Sequence, residues 1–218
     1  MPAAIPQDPH LAGRYIRLDP ITERDLPELY RAIGHPEVFA GGWGGGPAGY
    51  RDTEAGFVEF GKGYFAFERD LVFGIRLVGG EHDGRLVGTS TLGDFELDKE
   101  RAHIGWTAYD PRVWSTAVNP EAKLLMLGLA FDSGFGRVKI QADSVNARSR
   151  AAIAKLGATF EGIVRRDQRR ADGSWRDAAV YSVIIDDWPV VRAGLEARLD
   201  GYGGEPVSLR ETDAAASA

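Results

Sequence analysis

The stretch "RAHIGWTAYDPRVWSTAVNPEAKLLMLGLAFDSGFGRVKIQAD", Arg101 to Asp143, decides how this chain folds. It opens as a strand, crosses a short polar loop, becomes an apolar helical run that stops at Gly134, and returns to a strand. Asn119 is placed to cap the helix, and Pro120 suits its first position. The loop from Arg112 to Ala117 therefore lies where free backbone N–H groups and the positive end of a helix dipole hold an anion. Loops that cradle phosphate usually carry glycines, so that the backbone can approach the oxygens. This one has none, and a plain strand–helix connection is the alternative reading of the loop alone.

On either side the elements follow in a consistent order. "RYIRLDPI" alternates as a strand, and "TERDLPELYRAI" reads as a helix opened by a capping box of Thr22 and Asp25. Ala40–Tyr50 is the most glycine-dense stretch and reads as a loop; it either closes over a substrate or is a floppy surface segment. A short helix after it leads into "LVFGIRLV" and "RLVGTSTLGDF", two strands joined by the turn "GGEHDG". Beyond "GRVKIQAD", Asn146 caps a helix that ends before Gly157. Two further strands, around a turn at residues 171–174, and a last helix, "DWPVVRAGLEARL", complete the pattern. The expectation is an α/β (α+β) domain with a mixed central sheet of about seven strands flanked by helices. It spans residues 13–201, with flexible ends at 1–12 and 202–218.

Composition narrows the function. The chain has 218 residues, 44% hydrophobic and 27% charged, with a net charge of −6. That acidity argues against a nucleic-acid partner. No cysteine is present, which excludes disulfides, thiolate metal sites and a cysteine nucleophile. No signal-like start or membrane-length apolar run is visible, so a cytoplasmic protein with no membrane partner is expected.

"HIGWTAYDP", the loop above and "NARSRAAIAKLGATFEGIVR" together resemble the GNAT superfamily of acyl-CoA N-acyltransferases, in the RimJ/RimL-like branch of ribosomal-protein N-terminal acetyltransferases. The last stretch is similar to that branch's Asn-x-x-Ser…Lys-Leu-Gly…Glu-Gly signature. The resemblance runs from about Arg14 to about Trp188. It implies a GNAT fold splayed between the fourth and fifth strands, acetyl-CoA as acyl donor, no metal, an amine acceptor, and a homodimer as one option. The family's pyrophosphate loop reads Gln/Arg-x-x-Gly-x-Gly/Ala. Arg112 and Ala117 fill its ends here, and Ser115 stands where the central glycine belongs. Backbone N–H groups of Val113, Trp114, Ser115, Thr116 and Ala117 then face the pyrophosphate, and the Ser115 hydroxyl either crowds it or donates to it. Lys123, one turn beyond Asn119, offers a charge to a phosphate or pairs with Glu121 at the surface.

The resemblance also implies that Asn146 meets the amide-rich pantetheine arm, that Ser149 reaches the thioester region, and that Arg148 and Arg150 reach phosphates or solvent. Backbone groups at a bulged strand, Thr107 to Tyr109 with Ala108 between, polarise the thioester carbonyl. Relatives often carry a glutamate base on that strand. His103 stands there instead, competent near its ordinary pKa of about 6.5, with Asp94 and Glu96 as substitutes. The tyrosine that serves many relatives as general acid is replaced by Ile153, leaving Tyr109 or Ser149 for that role. "RRDQRR", Arg165–Arg170, reads as one arm of a hairpin rather than a continuous basic patch. The function implied is acetyl transfer to a primary amine. A longer acyl group, a drug-like acceptor, or an acyl-CoA-binding protein without catalysis are the alternatives.

Overall fold

The computed structural model of the chain describes residues 2–211. Leu11–Ala12 (β1) pairs antiparallel with Ile16–Pro20 (β2), and the helices Leu26–Ile33 (α1), Pro36–Ala40 (α2) and Glu54–Tyr64 (α3) follow. Leu71–Leu77 (β3), Leu86–Glu96 (β4) and Arg101–Tyr109 (β5) continue the meander, and Val118–Asp132 (α4) crosses to Arg137–Asp143 (β6). Ala147–Ala154 (α5), the hairpin of Thr159–Arg169 (β7) and Trp175–Ile184 (β8), and Trp188–Asp200 (α6) come last. The eight strands form one sheet in the order β1-β2-β3-β4-β5-β6-β8-β7, in which β5 and β6 run parallel and every other pair antiparallel.

Two apolar layers cover the sheet. Leu26, Leu29 and Ile33 of α1 pack with Phe39, Trp43 and Phe57 in one cluster; Met126, Leu127 and Ala130 of α4 pack with Val191 and Leu195 of α6 in the other. Each fully buried Leu, Ile or Phe stabilises the fold by about 1.5–3 kcal/mol.

Several expectations hold in detail. Thr22 and Asp25 form the capping box, the Asn146 side chain accepts from Ser149 N, and Gly157 takes the left-handed conformation (φ 88°) that ends its helix. Other expectations are corrected. β1 comes from the segment read as a loose start, and Ala4 N also donates to Ser133 O. The tail is laid back on the body as well: Gly204 N donates to Tyr15 Oη and Arg210 N to Arg112 O. Residues 212–218 of the expected tail lie outside the described residues.

The glycine-dense stretch is no floppy loop. Trp43 is 9% exposed, inside an aromatic cluster with Phe39, Phe57, Phe60 and Tyr64, and its Nε1 donates to Trp106 O. Helix α4 starts at Val118 with Ala117 as its cap residue, so Asn119 and Pro120 lie inside the first turn. Thr116 Oγ1 accepts from Val118 N, while Asn119 is drawn off by the Tyr109 hydroxyl, which donates to its Oδ1 at 3.0 Å.

The feature that positions the site is where β5 and β6 part. They pair from Arg101↔Arg137 to Ile104↔Ile140 and no further, although both strands continue. Because of the extra β1, this is the splay expected between the fourth and fifth strands.

Candidate active site

Beyond Ile104 the edge of β5 has no partner on β6. On its other side the register with β4 slips: Gly105 faces Thr91 and Ala108 faces Thr89, leaving Trp106 and Thr107 unpaired. Trp106 adopts φ 51°, the strained left-handed conformation of a bulge. The bulge is pinned by Trp43 on the Trp106 carbonyl. The bulge thus takes in Trp106 and Thr107 and overlaps the expected Thr107 to Tyr109 only at Thr107. A cleft of about 620 Å³ opens between the parted strands, lined by residues of β5, β6, the loop before α4, α4 itself and α5.

The loop before α4 spends some of its backbone donors on itself and leaves others free. Asp110 Oδ1 takes Arg112 N, and the N–H groups of Val113 and Trp114 bond inside the turn, to Asp110 O and Pro111 O. The N–H groups of Ser115, Thr116 and Ala117 have no acceptor among the described residues. Ser115 adopts φ 62°, the conformation that a glycine takes without cost and that charges an L-residue about 1–2 kcal/mol. Ser115 therefore carries a backbone strain that the expected glycine would not.

Side chains depart further from expectation. Arg112 does not line the cleft: its Nε and Nη2 grip the fully buried Asp110 carboxylate at 2.6–3.1 Å. Ala117 is buried and can offer only its N–H. Lys123 is not paired with Glu121 at the surface. It is 4% exposed, and its Nζ donates to Ser90 Oγ (3.1 Å) and Thr107 Oγ1 (2.9 Å) on the cleft wall. Burial pushes its pKa down to about 7. Glu121 turns the other way and accepts from the backbone N–H groups of Arg14, Tyr15 and Ile16 at 2.7–2.8 Å.

Across the cleft, the Asn146 amide is committed at both ends, to Ser149 N and to the Gly41 carbonyl. The Arg148 guanidinium stacks on Trp114 at 3.6 Å, joining α5 to the cradle loop. Arg150 instead faces Ser144 O and the Tyr181 hydroxyl. Ser149 and Ile153 line the cleft, as do Val113, Ala108 and Tyr109. Burial raises the Tyr109 pKa far above its ordinary value, so the phenol stays neutral.

His103 is 5% exposed and faces a second cavity of about 400 Å³, which shares Gly42, Tyr64, Gly105 and Trp106 with the cleft. Its Nδ1 lies 2.8 Å from Asp94 Oδ2; Nε2 is buried without a partner. A Cβ at position 105 would meet this ring at 2.8 Å, so Gly105 makes room for it. Burial lowers the His103 pKa, against the raising effect of Asp94. The hydrogen bond from His103 holds the Asp94 carboxyl below its ordinary range. Glu96, the other substitute, pairs with Lys99 in solvent. In the hairpin, Arg166 and Arg169 stack on Trp175 and Arg170 pairs with the buried Asp143. The reading of "RRDQRR" as a hairpin arm therefore stands.

Sequence reasoning missed Arg176, whose Nε is buried without a partner among the described residues and which borders both cavities, and Arg198, whose Nη1 is likewise orphaned at the cleft. Both come from distant elements, with no local motif to flag them. Among the described residues no cluster of three metal-ligating side chains occurs, and no helix is long and apolar enough to cross a membrane.

Residues 16–159 match the family model of the acetyltransferase (GNAT) domain. In three dimensions the chain is similar to a T. thermophilus protein provisionally named an acetyltransferase, with 33% identity and a TM-score of 0.76 over 90% of this chain and 98% of that one. It is also similar to a GCN5-related N-acetyltransferase from Brucella melitensis, at 24% identity and a TM-score of 0.81 over 95% of each chain. Mycobacterium smegmatis RimJ, in complex with CoA-disulfide, matches at 22% identity and a TM-score of 0.67 over 87% of this chain and 92% of that one. No curated protein matches the chain significantly.

Proposed function

This chain belongs to the GNAT acetyltransferase family, and from that premise we propose that it moves the acetyl group of acetyl-CoA to a primary amine by direct attack in a ternary complex. The amine is a protein or peptide N-terminus, as in the RimJ/RimL-like branch, or a small molecule. The observation that carries this reading is the interrupted ladder: two strand edges part around a pinned bulge, and beyond Ile104 and Ile140 neither has the other as a partner. An amide-rich arm fits such an edge as a strand would. The free N–H groups of Ser115 to Ala117, at the start of a 15-residue helix, fit a pyrophosphate. The orphaned Arg198 Nη1 adds a cation at the same cleft.

Acetyl-CoA brings an acetyl carbonyl activated as a thioester; the chain supplies the rest. Backbone N–H groups at Trp106 and Thr107 polarise the carbonyl oxygen. The amine enters through the second cavity. With Nδ1–H donated to Asp94, the neutral His103 ring presents Nε2 as a bare acceptor, the tautomer a base requires. Because burial lowers its pKa, turnover should reach its plateau at a pH below the 6.5 of an ordinary histidine. His103→Ala should then lower turnover by about 10²–10⁴-fold and leave acetyl-CoA affinity nearly intact. The reaction would take place in the cytoplasm.

Two measurements test the reading. Calorimetry should detect CoA binding, and thiol release from acetyl-CoA should depend on an added amine from a panel of peptides and small amines. A chain that gives no heat with millimolar CoA would not be acting on it. Binding with no thiol release from any amine would make it an acyl-CoA-binding protein.

A further inference from the structure

We propose that Lys123 is the proton donor to the sulfur that leaves the acetyl group. The proposal rests on the acetyl-transfer reading above and assigns one of its steps.

A lysine buried without a carboxylate partner is costly to keep, and a Met or Leu of similar length would fill the same space without that cost. Lys123 sits in the cleft wall with its Nζ on two neutral hydroxyls, Ser90 of β4 and Thr107 of the β5 bulge. The two hydroxyls are themselves 2.7 Å apart. Nζ is therefore held beside the unpaired residues that receive the carbonyl, on the wall where the bond to sulfur breaks.

The other cleft groups are poorly matched to the task. Ile153 has no proton to give. The Tyr109 hydroxyl is spent on Asn119, and burial raises its pKa. The Ser149 hydroxyl is an alcohol. An ammonium brought down to about 7 by burial gives up its proton near neutral pH, below the ordinary thiol range of about 8.5.

The groups facing Lys123 preserve this poise. Ser90 and Thr107 are uncharged, Asn119 is neutral, and Tyr109 stays protonated. Burial lowers the pKa of His103 on β5, and the charge of Lys123 on α4 adds to that lowering. The two groups are thereby pushed into opposite roles, an acid on one side of the bulge and a base on the other.

The step balances. The amine nitrogen forms the new C–N bond, and its surplus proton goes to His103 Nε2. The C–S bond breaks with its electron pair on sulfur, and Nζ delivers a proton there to give the free thiol. Solvent returns a proton to Nζ and removes one from His103 as products leave.

Ultraviolet titration of CoA bound to the protein reads the thiol directly, without turnover. With wild type the bound thiol should titrate below free CoA, because a thiolate there gains the Lys123 ammonium as partner and in turn holds the proton on Nζ. In Lys123→Met the bound thiol should titrate at or above the free value. In parallel, Lys123→Met should lower kcat by about 10²–10³-fold with acetyl-CoA affinity within about threefold, and the fall in rate on the alkaline side, which deprotonation of Lys123 causes in wild type, should be absent from its pH profile. A wild-type thiol that titrates like free CoA would overturn the proposal even if the variant failed to fold. An unchanged kcat in a folded Lys123→Met would also overturn it. So would mass spectrometry that finds acetyl on Nζ after incubation with acetyl-CoA alone, which would make Lys123 an acyl acceptor. Wild type that neither binds CoA nor releases thiol with any amine would sink the acetyl-transfer reading itself, a different result from any of these.

Discussion

Replacing Glu121 should unfasten the cradle helix from the edge of the sheet. Its carboxylate is 3% exposed, and Oε2 accepts from Tyr15 N and Ile16 N while Oε1 accepts from Arg14 N. Tyr15 and Ile16 are 1% and 0% exposed, so Glu121→Ala strands two donors that water cannot reach. Each unmet buried donor costs about 1–3 kcal/mol, which puts the variant roughly 4 kcal/mol below wild type. For a domain of this size that is a fall in Tm of about 8–16 °C. Glu121→Gln keeps an acceptor for the buried pair but turns an NH2 toward Arg14 N; it should lose only about 1–2 kcal/mol. Urea denaturation followed by circular dichroism, with Tm as a check, measures both. An alanine variant within about 1 kcal/mol of wild type, or a glutamine variant as weak as alanine, would refute the argument that these three donors are what the carboxylate serves.

Ser115 holds φ 62°, so Ser115→Gly should be tolerated or stabilising by up to about 1 kcal/mol, and Ser115→Val should lose about 1–2 kcal/mol; equal melting curves for the two would contradict this. Lys123 has its pKa lowered from 10.5 to about 7, so between those values the unfolded chain binds a proton that the folded chain does not. Stability should therefore rise with pH across that window and be flat below it with respect to this group, and Lys123→Met should be more stable than wild type at pH 7, with the gap closing toward pH 10.5. Denaturant titrations at several pH values measure the slope, and a gap that does not change with pH would count against a buried ammonium. Asp94→Asn removes the carboxylate that raises the His103 pKa; NMR titration of the ring should show its pKa falling further, and a rise would reverse the assignment of Asp94 as its partner.

How far the sequence reaches depends on how local the cause is. Thr22 with Asp25, and Asn146 with Ser149, form caps inside one turn, and both were legible because each capping oxygen is taken by a backbone N–H of its own turn. Asn119 was misread as a cap because a tyrosine from the preceding strand claims it, and Thr116 does the capping from a position that looks equally plausible. Helix α4 is apolar almost all round, so its pattern could not say which face meets the sheet. Glu121 and Lys123, two residues apart and so about 200° around the helix, both look like surface positions, yet both are buried against different partners. Arg112 filled a motif position in the sequence, but its nearest buried anion was two residues away and took it. The left-handed Ser115 carried no signal beyond the absent glycine.

The four rungs that join β5 to β6, Arg101↔Arg137 through Ile104↔Ile140, are the whole strand pairing between two plates, and a bond from Ala171 N to Gly45 O ties them again at the far side. On one side lies the meander β1 to β5, on the other the hairpin with β6. A seam that short, at one end of both strands, leaves the width of the slot beyond it to the packing of the side chains on either side. Arg148 on Trp114 and Asn146 on Gly41 act as a latch across the open end. An extended molecule laid in the slot adds rungs where the chain provides none, so it serves as a structural strand as well as a reactant. Volume changes at Ala102 or Val138, buried on the seam itself, would then reset the slot width without touching any group that lines it.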